Sequence, residues 1–154
     1  IDASIVYGKR DSLCDCEYSF LFPSELVMVG LPSLSNSYEN LQQLIYRRSA
    51  IYIEHESRKN DWSTWSKYNG VSEPGLKNRI SFSNSALGLR AVMSGLGVMV
   101  TQYHFVQDEL NAGNLVMSGN CCKISGLAYY LVYPKSSAAN NKILSWREWL
   151  LTQV

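Results

Sequence analysis

An α/β fold is what this sequence predicts, and three observations lead there. Strand-like and helix-like segments alternate from end to end of the 154 residues, with no repeat or low-complexity stretch between them. Apolar residues make up 46% of the chain, enough to bury a core for one domain or two small lobes. Some strand-like runs, ELVMVG above all, are apolar almost throughout, as expected of strands covered on both faces.

Taken in order, ASIVYG reads as a short buried strand ended by Gly8, and KRDSLCDC as an exposed loop. EYSFLFPSELVMVGLP makes one or two strands, broken or bent where Pro23 removes a backbone donor. SNSYENLQQLIYR carries a helix start at Ser37 and sets Leu41, Leu44 and Ile45 on one face. AIYIE is the next strand. NDWSTWSKYNG reads as a helix, with Asp61 as a cap, Trp62 and Trp65 one turn apart for packing, and Gly70 as the stop.

RISFSNSALGLRAVMSGLGVMV then supplies strand, helix and strand. Its Gly95-Leu96-Gly97 is not a dinucleotide fingerprint, which needs a third glycine and runs from strand into helix. Gly95 reads instead as a helix stop and Gly97 as room for backbone against backbone. QYHFVQDELNAG is a helix stopped at Gly113, NLVM a short strand, and GLAYYLVYP a longer strand ended by Pro134. The closing KILSWREWLLTQV is an amphipathic helix with Ile143, Trp146 and Leu150 on one stripe.

Composition excludes several function classes. Fourteen basic side chains face thirteen acidic ones, a net charge of +1. Lys9-Arg10, Arg47-Arg48 and Arg58-Lys59 are scattered pairs that read as solvated faces, so this chain alone is a poor DNA binder. Cys14, Cys16, Cys121 and Cys122 lack zinc-knuckle spacing and neighbouring histidines, and they read as free thiols in a reducing compartment. There is no signal peptide and no run of about 18 apolar residues, which predicts a cytoplasmic protein with no membrane segment. IDASIVYG opens on a strand without Met, cap or polar lead, and the expectation is a fragment of a longer protein.

No catalytic residue, cofactor or metal is assigned. Of the two histidines, His55 lies in IEHES, where strand alternation sends Glu54 and Glu56 to the opposite face, short of the three converging ligands a divalent ion needs. His104 reads as a packing residue within a helix. No G-x-S-x-G elbow surrounds a serine, and no acid–base pair can be named. Trp146 and Trp149, like Trp62 and Trp65, are one turn apart and read as packing groups. Alternation sends Tyr129 and Tyr130 to opposite faces, one to the core and the other free to line a cleft.

Ser83, Asn84 and Ser85 fall where a helix N-cap is expected. The first turn of a helix also presents unpaired N–H groups and partial positive charge, and small hydroxyl side chains leave that end open to a carboxylate or phosphate. Capping and ligand binding are compatible there.

In order and spacing, DASIVYG, ELVMVGLPSL, DWSTWSKYNGV, SFSNSALGLRAVMSGLGVMV, AYYLVYP and the last WREWL helix resemble the effector-binding domain of LysR-type transcriptional regulators. The nearest likeness is to the branch of the glycine-cleavage and β-lactamase activators, which share the W-x-x-W helix and the closing YYLVYP. The resemblance covers nearly the whole chain. It implies a periplasmic-binding-protein-like (type II) fold of two α/β lobes with a small-molecule effector in the cleft. It also implies a first lobe that is truncated here: residues 1–22 and 127–154 belong to it and its crossovers, and residues 23–126 form a complete second lobe. Carried over by position, the effector-binding residues are Ser83, Asn84, Ser85, His55, Ser57, Tyr129, Tyr7 and, more weakly, Thr101. Many relatives have Arg where this chain has Val6. DNA would be bound only through a helix-turn-helix domain absent from these residues, and the intact protein would be a homo-oligomer. The alternatives are a solute-binding receptor lobe and a cytosolic α/β enzyme.

Overall fold

Backbone contacts divide the chain into two units, and both chain crossings between them fall inside strands. The structure, a computed structural model, describes residues 3–13, 15–35 and 40–154. One unit comprises Ile1–Ser24 with Lys123–Val154; the other, larger unit is Glu25–Cys122.

In the larger unit the hydrogen-bonded strand order is β2-β5-β3-β4. Here β2 is Cys16–Gly30, β3 Ala50–Ile53, β4 Arg79–Phe82 and β5 Val98–Gln102. Strand β3 runs parallel to both β4 and β5, whereas β2 is antiparallel to β5. All four residues of β3 and all five of β5 are buried. That burial explains the apolar runs at residues 50–53 and 98–100: helices cover both faces of a parallel sheet, so neither face needs polar side chains. The helices α3 (Asp61–Tyr68), α4 (Ser85–Met93) and α5 (Tyr103–Asn111) follow β3, β4 and β5 respectively. Inward residues of α4 and α5 join the strands in one core that includes Val27, Val29, Ile51, Ile53, Val92, Met99 and Val106. Trp62 and Trp65 are buried as their spacing predicts, and each indole N–H is satisfied. Trp62 Nε1 donates to the Ile51 carbonyl at 2.8 Å and Trp65 Nε1 to that of Asn120 at 3.1 Å.

Two close approaches explain small residues in this unit. A Cβ on Gly97 would lie 2.0 Å from the Ser49 carbonyl oxygen, so the chain entering β5 passes backbone against backbone. A Cβ on Gly88 would lie 2.7 Å from Ile53 Cδ1 and 2.9 Å from Met99 Sδ, so α4 rests directly on the sheet. Gly95, at φ 78°, ends the α4 region as expected.

In the smaller unit β1 (Ser4–Gly8) pairs antiparallel with β6 (Val116–Pro134), placing Tyr7 opposite Tyr129 and Val6 opposite Tyr130. Alternation divides the apolar side chains between two faces. Ala128, Tyr130 and Val132 pack with Leu13, Val6 and Tyr18. Leu131 and Tyr133 pack with Leu21, Phe22 and Ile143. Ile143 comes from α6 (Asn141–Thr152), which is tied down by Arg147 Nε donating to Ser19 Oγ at 2.7 Å.

Several expectations need correction. Strand β2 continues through Pro23, because extended backbone accepts the proline φ and the missing N–H does not end the element. NLVM and GLAYYLVYP are parts of one strand, β6; Gly119 and Gly126, both at φ 76°, interrupt its alternation and make it read as two. Leu13 is buried on a 3-10 turn, not in an exposed loop. Asp61 is the first residue of α3, whose cap position is Asn60. The helix start expected at Ser37 and the thiol of Cys14 lie outside the described residues; α2 (Leu41–Arg47) is capped by Asn40 accepting from the Gln43 N–H at 2.9 Å. On α6, Trp146 and Trp149 are 37% and 57% exposed, so the packing expected of them is only partial within the described chain.

Candidate ligand-binding site

Because β3, β4 and β5 are parallel and each leads into a helix, the loops leaving them share one rim of the larger unit, at the carboxyl ends of the strands. Ile53 of β3 lies opposite Phe82 of β4, and the Glu54 N–H donates to the Phe82 carbonyl at 2.9 Å. The turn carrying His55 and Ser57 therefore stands beside Ser83, Asn84 and Ser85, with adjacent strands only about 4.8 Å apart. Five of the residues predicted from sequence come together here.

Among Ser83, Asn84 and Ser85, the cap is Asn84. Its backbone is extended (φ −152°, ψ 162°) and its side-chain oxygen accepts the Leu87 N–H at 3.0 Å. Ser83 and Asn84 are exposed and Ser85 is half-buried. Neither serine hydroxyl has a hydrogen-bond partner among the described residues.

Across the rim, residues 55–60 form a bend and turn, so the alternation expected to separate His55 from Glu54 and Glu56 stops at Ile53. His55 Nδ1 lies 2.8 Å from Ser57 Oγ and accepts the Ser57 backbone N–H at 3.2 Å. Arg58 Nε reaches Ser57 Oγ at 3.4 Å, and Arg58 Nη1 stands 3.5 Å from Asp61 Oδ2. Both members of that ion pair are almost covered, their side chains 9% and 11% exposed. Burial pushes the Asp61 carboxyl up to about 7, and the Arg58 guanidinium pulls it partly back. No cluster of three or more His, Cys, Asp or Glu able to hold a metal occurs among the described residues. Among the described residues Cys16, Cys121 and Cys122 form no disulfide, and burial raises the pKa of the Cys122 thiol.

The other predicted residues are placed differently. Thr101, on β5 opposite Val27, is 3% exposed, its side chain covered within the strand layer. Tyr7 and Tyr129 belong to the smaller unit, where their ring centroids lie 4.9 Å apart at a tilt of 43° and Phe22 lies 4.7 Å from Tyr129; the Tyr7 hydroxyl meets Ser24 Oγ at 3.2 Å. That unit also holds a cavity of about 720 Å³ bounded by Lys9, Arg10, Phe20, Lys123 and Tyr130, and none of the predicted residues lines it. Sequence reasoning missed the pair Arg58 and Asp61, having read the first as a solvated charge and the second as a cap. Their Arg-x-x-Asp spacing at a helix start was the available signal.

A mixed α/β sheet whose chain passes between two units along two strands is a periplasmic-binding-protein-like fold of type II, and solved structures bear this out. The effector domain of the transcriptional regulator AmpR of Pseudomonas aeruginosa matches with a TM-score of 0.75 at 21% identity, over 99% of this chain and 72% of that one. The AmpR effector-binding domain from Citrobacter freundii matches with a TM-score of 0.77 at 18% identity, over 99% and 74%. In sequence, the glycine cleavage system transcriptional activator of Escherichia coli (strain K12) is 28% identical over 159 residues, covering 99% of this chain and 50% of that protein. The HTH-type transcriptional regulator PerR of the same strain is 24% identical over 156 residues. The LysR substrate binding domain family matches residues 1–154. The chain belongs to that family: it is an effector-binding domain of the LysR-type transcriptional regulators, and it spans about half the length of the curated relatives it matches.

Proposed function

We propose that this chain is the non-enzymatic sensing part of a cytoplasmic LysR-type regulator, and that it takes a small polar effector at the strand-end rim through Ser83, Asn84, Ser85, His55 and Ser57. The observation that carries this reading is the grouping of those five small or polar side chains at the carboxyl ends of adjacent parallel strands. The relatives' character as regulators supports the absence of catalysis, and no described helix is long and apolar enough to cross a membrane. The DNA-reading head and the homo-oligomer belong to the whole protein. The effector acts by population shift, favouring the conformation to which it binds more tightly and so altering how the heads meet DNA.

The test is operator binding by the full-length gene product, with and without metabolites that raise the melting temperature of the 154-residue chain. The expected outcome is binding to its own promoter region, altered by at least one such metabolite. Full-length protein that ignores its promoter region would overturn the regulator reading in favour of a solute receptor or an enzyme.

A further inference from the structure

We propose that the turn after β3 fixes His55 as a polarised hydrogen-bond donor and that the ligand is read there through a carboxylate oxygen. This rests on the rim being the ligand site and names the chemistry it selects. The first step is the tautomer. A backbone N–H can only donate, so the Ser57 amide 3.2 Å from His55 Nδ1 makes that nitrogen an acceptor. In the neutral imidazole the proton then resides on Nε2, and the Ser57 hydroxyl, 2.8 Å from the same Nδ1, shares that nitrogen's one lone pair with the amide as a second donor. The lone pairs of that hydroxyl are left for the Arg58 Nε–H at 3.4 Å. A buried guanidinium therefore stands behind a hydroxyl that stands behind the ring. Each group draws electron density from the next, so the Nε2–H gains donor strength.

The imidazole itself is exposed, whereas Arg58 and Asp61 behind it are almost covered. What the turn offers to solvent is therefore a donor without a full charge of its own. Asp61 Oδ2 lies 3.5 Å from the guanidinium and balances its charge when the carboxyl is ionised. The natural complement of a polarised N–H donor is an anionic oxygen, because a charge-assisted hydrogen bond is about twice as strong as a neutral one. A ligand amine or ammonium would meet N–H against N–H.

The chain has two histidines, His55 and His104, so a His104→Gln variant labelled with nitrogen-15 leaves a single imidazole to observe. With the imidazole neutral, long-range proton–nitrogen NMR should show Nε2 protonated and Nδ1 bare. Ser57→Ala should shift the Nδ1 resonance towards that of a less hydrogen-bonded nitrogen while the amide spectrum keeps its dispersion. A proton on Nδ1, or the tautomer mixture of free imidazole, would overturn the proposal. Acetate then serves as the carboxylate probe and methylammonium as its cationic counterpart. Acetate should shift the His55 Nε2 resonance and methylammonium should not; His55→Gln should weaken acetate binding about fivefold, the loss of one hydrogen bond. Acetate shifts confined to the Ser83–Ser85 amides, with His55 unmoved, would defeat this inference. They would leave the effector-domain reading standing, since operator binding does not depend on His55.

Discussion

Replacing Asp61 by Asn should flatten the pH dependence of stability, and the size of the change follows from its surroundings. The carboxyl sits at the start of α3, 8% exposed, with Arg58 as its ion-pair partner at 3.5 Å. Burial carries its pKa from an ordinary 3.8 to about 7. A carboxyl raised in this way binds its proton more tightly folded than unfolded. Its contribution to stability is therefore complete below about 3.8 and is lost as pH rises through about 7. At about 1.4 kcal/mol per tenfold in proton affinity, the full loss is roughly 4 kcal/mol. Roughly 2 kcal/mol of that falls between about pH 5.5 and about pH 8.5, because both the native and the unfolded pKa enter the integration. Asn keeps the shape and cannot ionise. Urea unfolding of wild type and Asp61→Asn at those two pH values should show the variant gaining on wild type by roughly 2 kcal/mol at the higher pH, other titrations cancelling in the difference. Arg58→Gln should steepen the wild-type loss, because the guanidinium is what holds the carboxylate down. Parallel pH profiles for wild type and Asp61→Asn would refute the reasoning, since they would mean that Asp61 is as well solvated folded as unfolded.

Two other substitutions test the architecture around the rim. Gly97→Ala should cost about 3 kcal/mol or more in chemical denaturation, because the new methyl would meet the Ser49 carbonyl oxygen at 2.0 Å and neither backbone can retreat without breaking the β3–β5 pairing. A near-neutral result would show that this strand entry is free to move. Asn84→Ala should cost about 1 kcal/mol through the lost bond to the Leu87 N–H, whereas Asn84→Asp should keep most of it, as thermal unfolding near neutral pH would report. Equal loss in both variants would mean that the stability does not come from a side-chain oxygen accepting the Leu87 N–H.

Much of this was legible in the residues because local chemistry decided it. The buried runs of β3 and β5, the paired tryptophans of α3 and the stop at Gly95 each follow from a pattern confined to one segment. The cap at Asn84 was legible for the same reason, since small polar residues between strand and helix have few other roles. The extent of β6 was not. Two glycines and a polar stretch look like a break, and only a partner strand reveals that the backbone stays extended. Nor was the role of Arg58 and Asp61 legible, since both residue types are usually solvated and their burial depends on how the turn folds over α3. Trp146 and Trp149 failed in the other direction: helical spacing signals an apolar stripe, but it does not name the surface that stripe meets.

The seat of α4 on Gly88 has a consequence for selectivity. With a Cβ there only 2.7 Å from Ile53 and 2.9 Å from Met99, the absent methyl acts as a spacer of zero thickness beneath the helix. A larger residue there must push aside the ends of Ile53 and Met99, and to the extent that they stay in place it lifts the helix and carries Ser85 with it, changing the height of the rim without altering one group on its surface. On the proposed reading of the rim as the effector site, preference for a longer or shorter signal molecule is open to retuning from underneath, by a substitution that no survey of solvent-facing residues would single out.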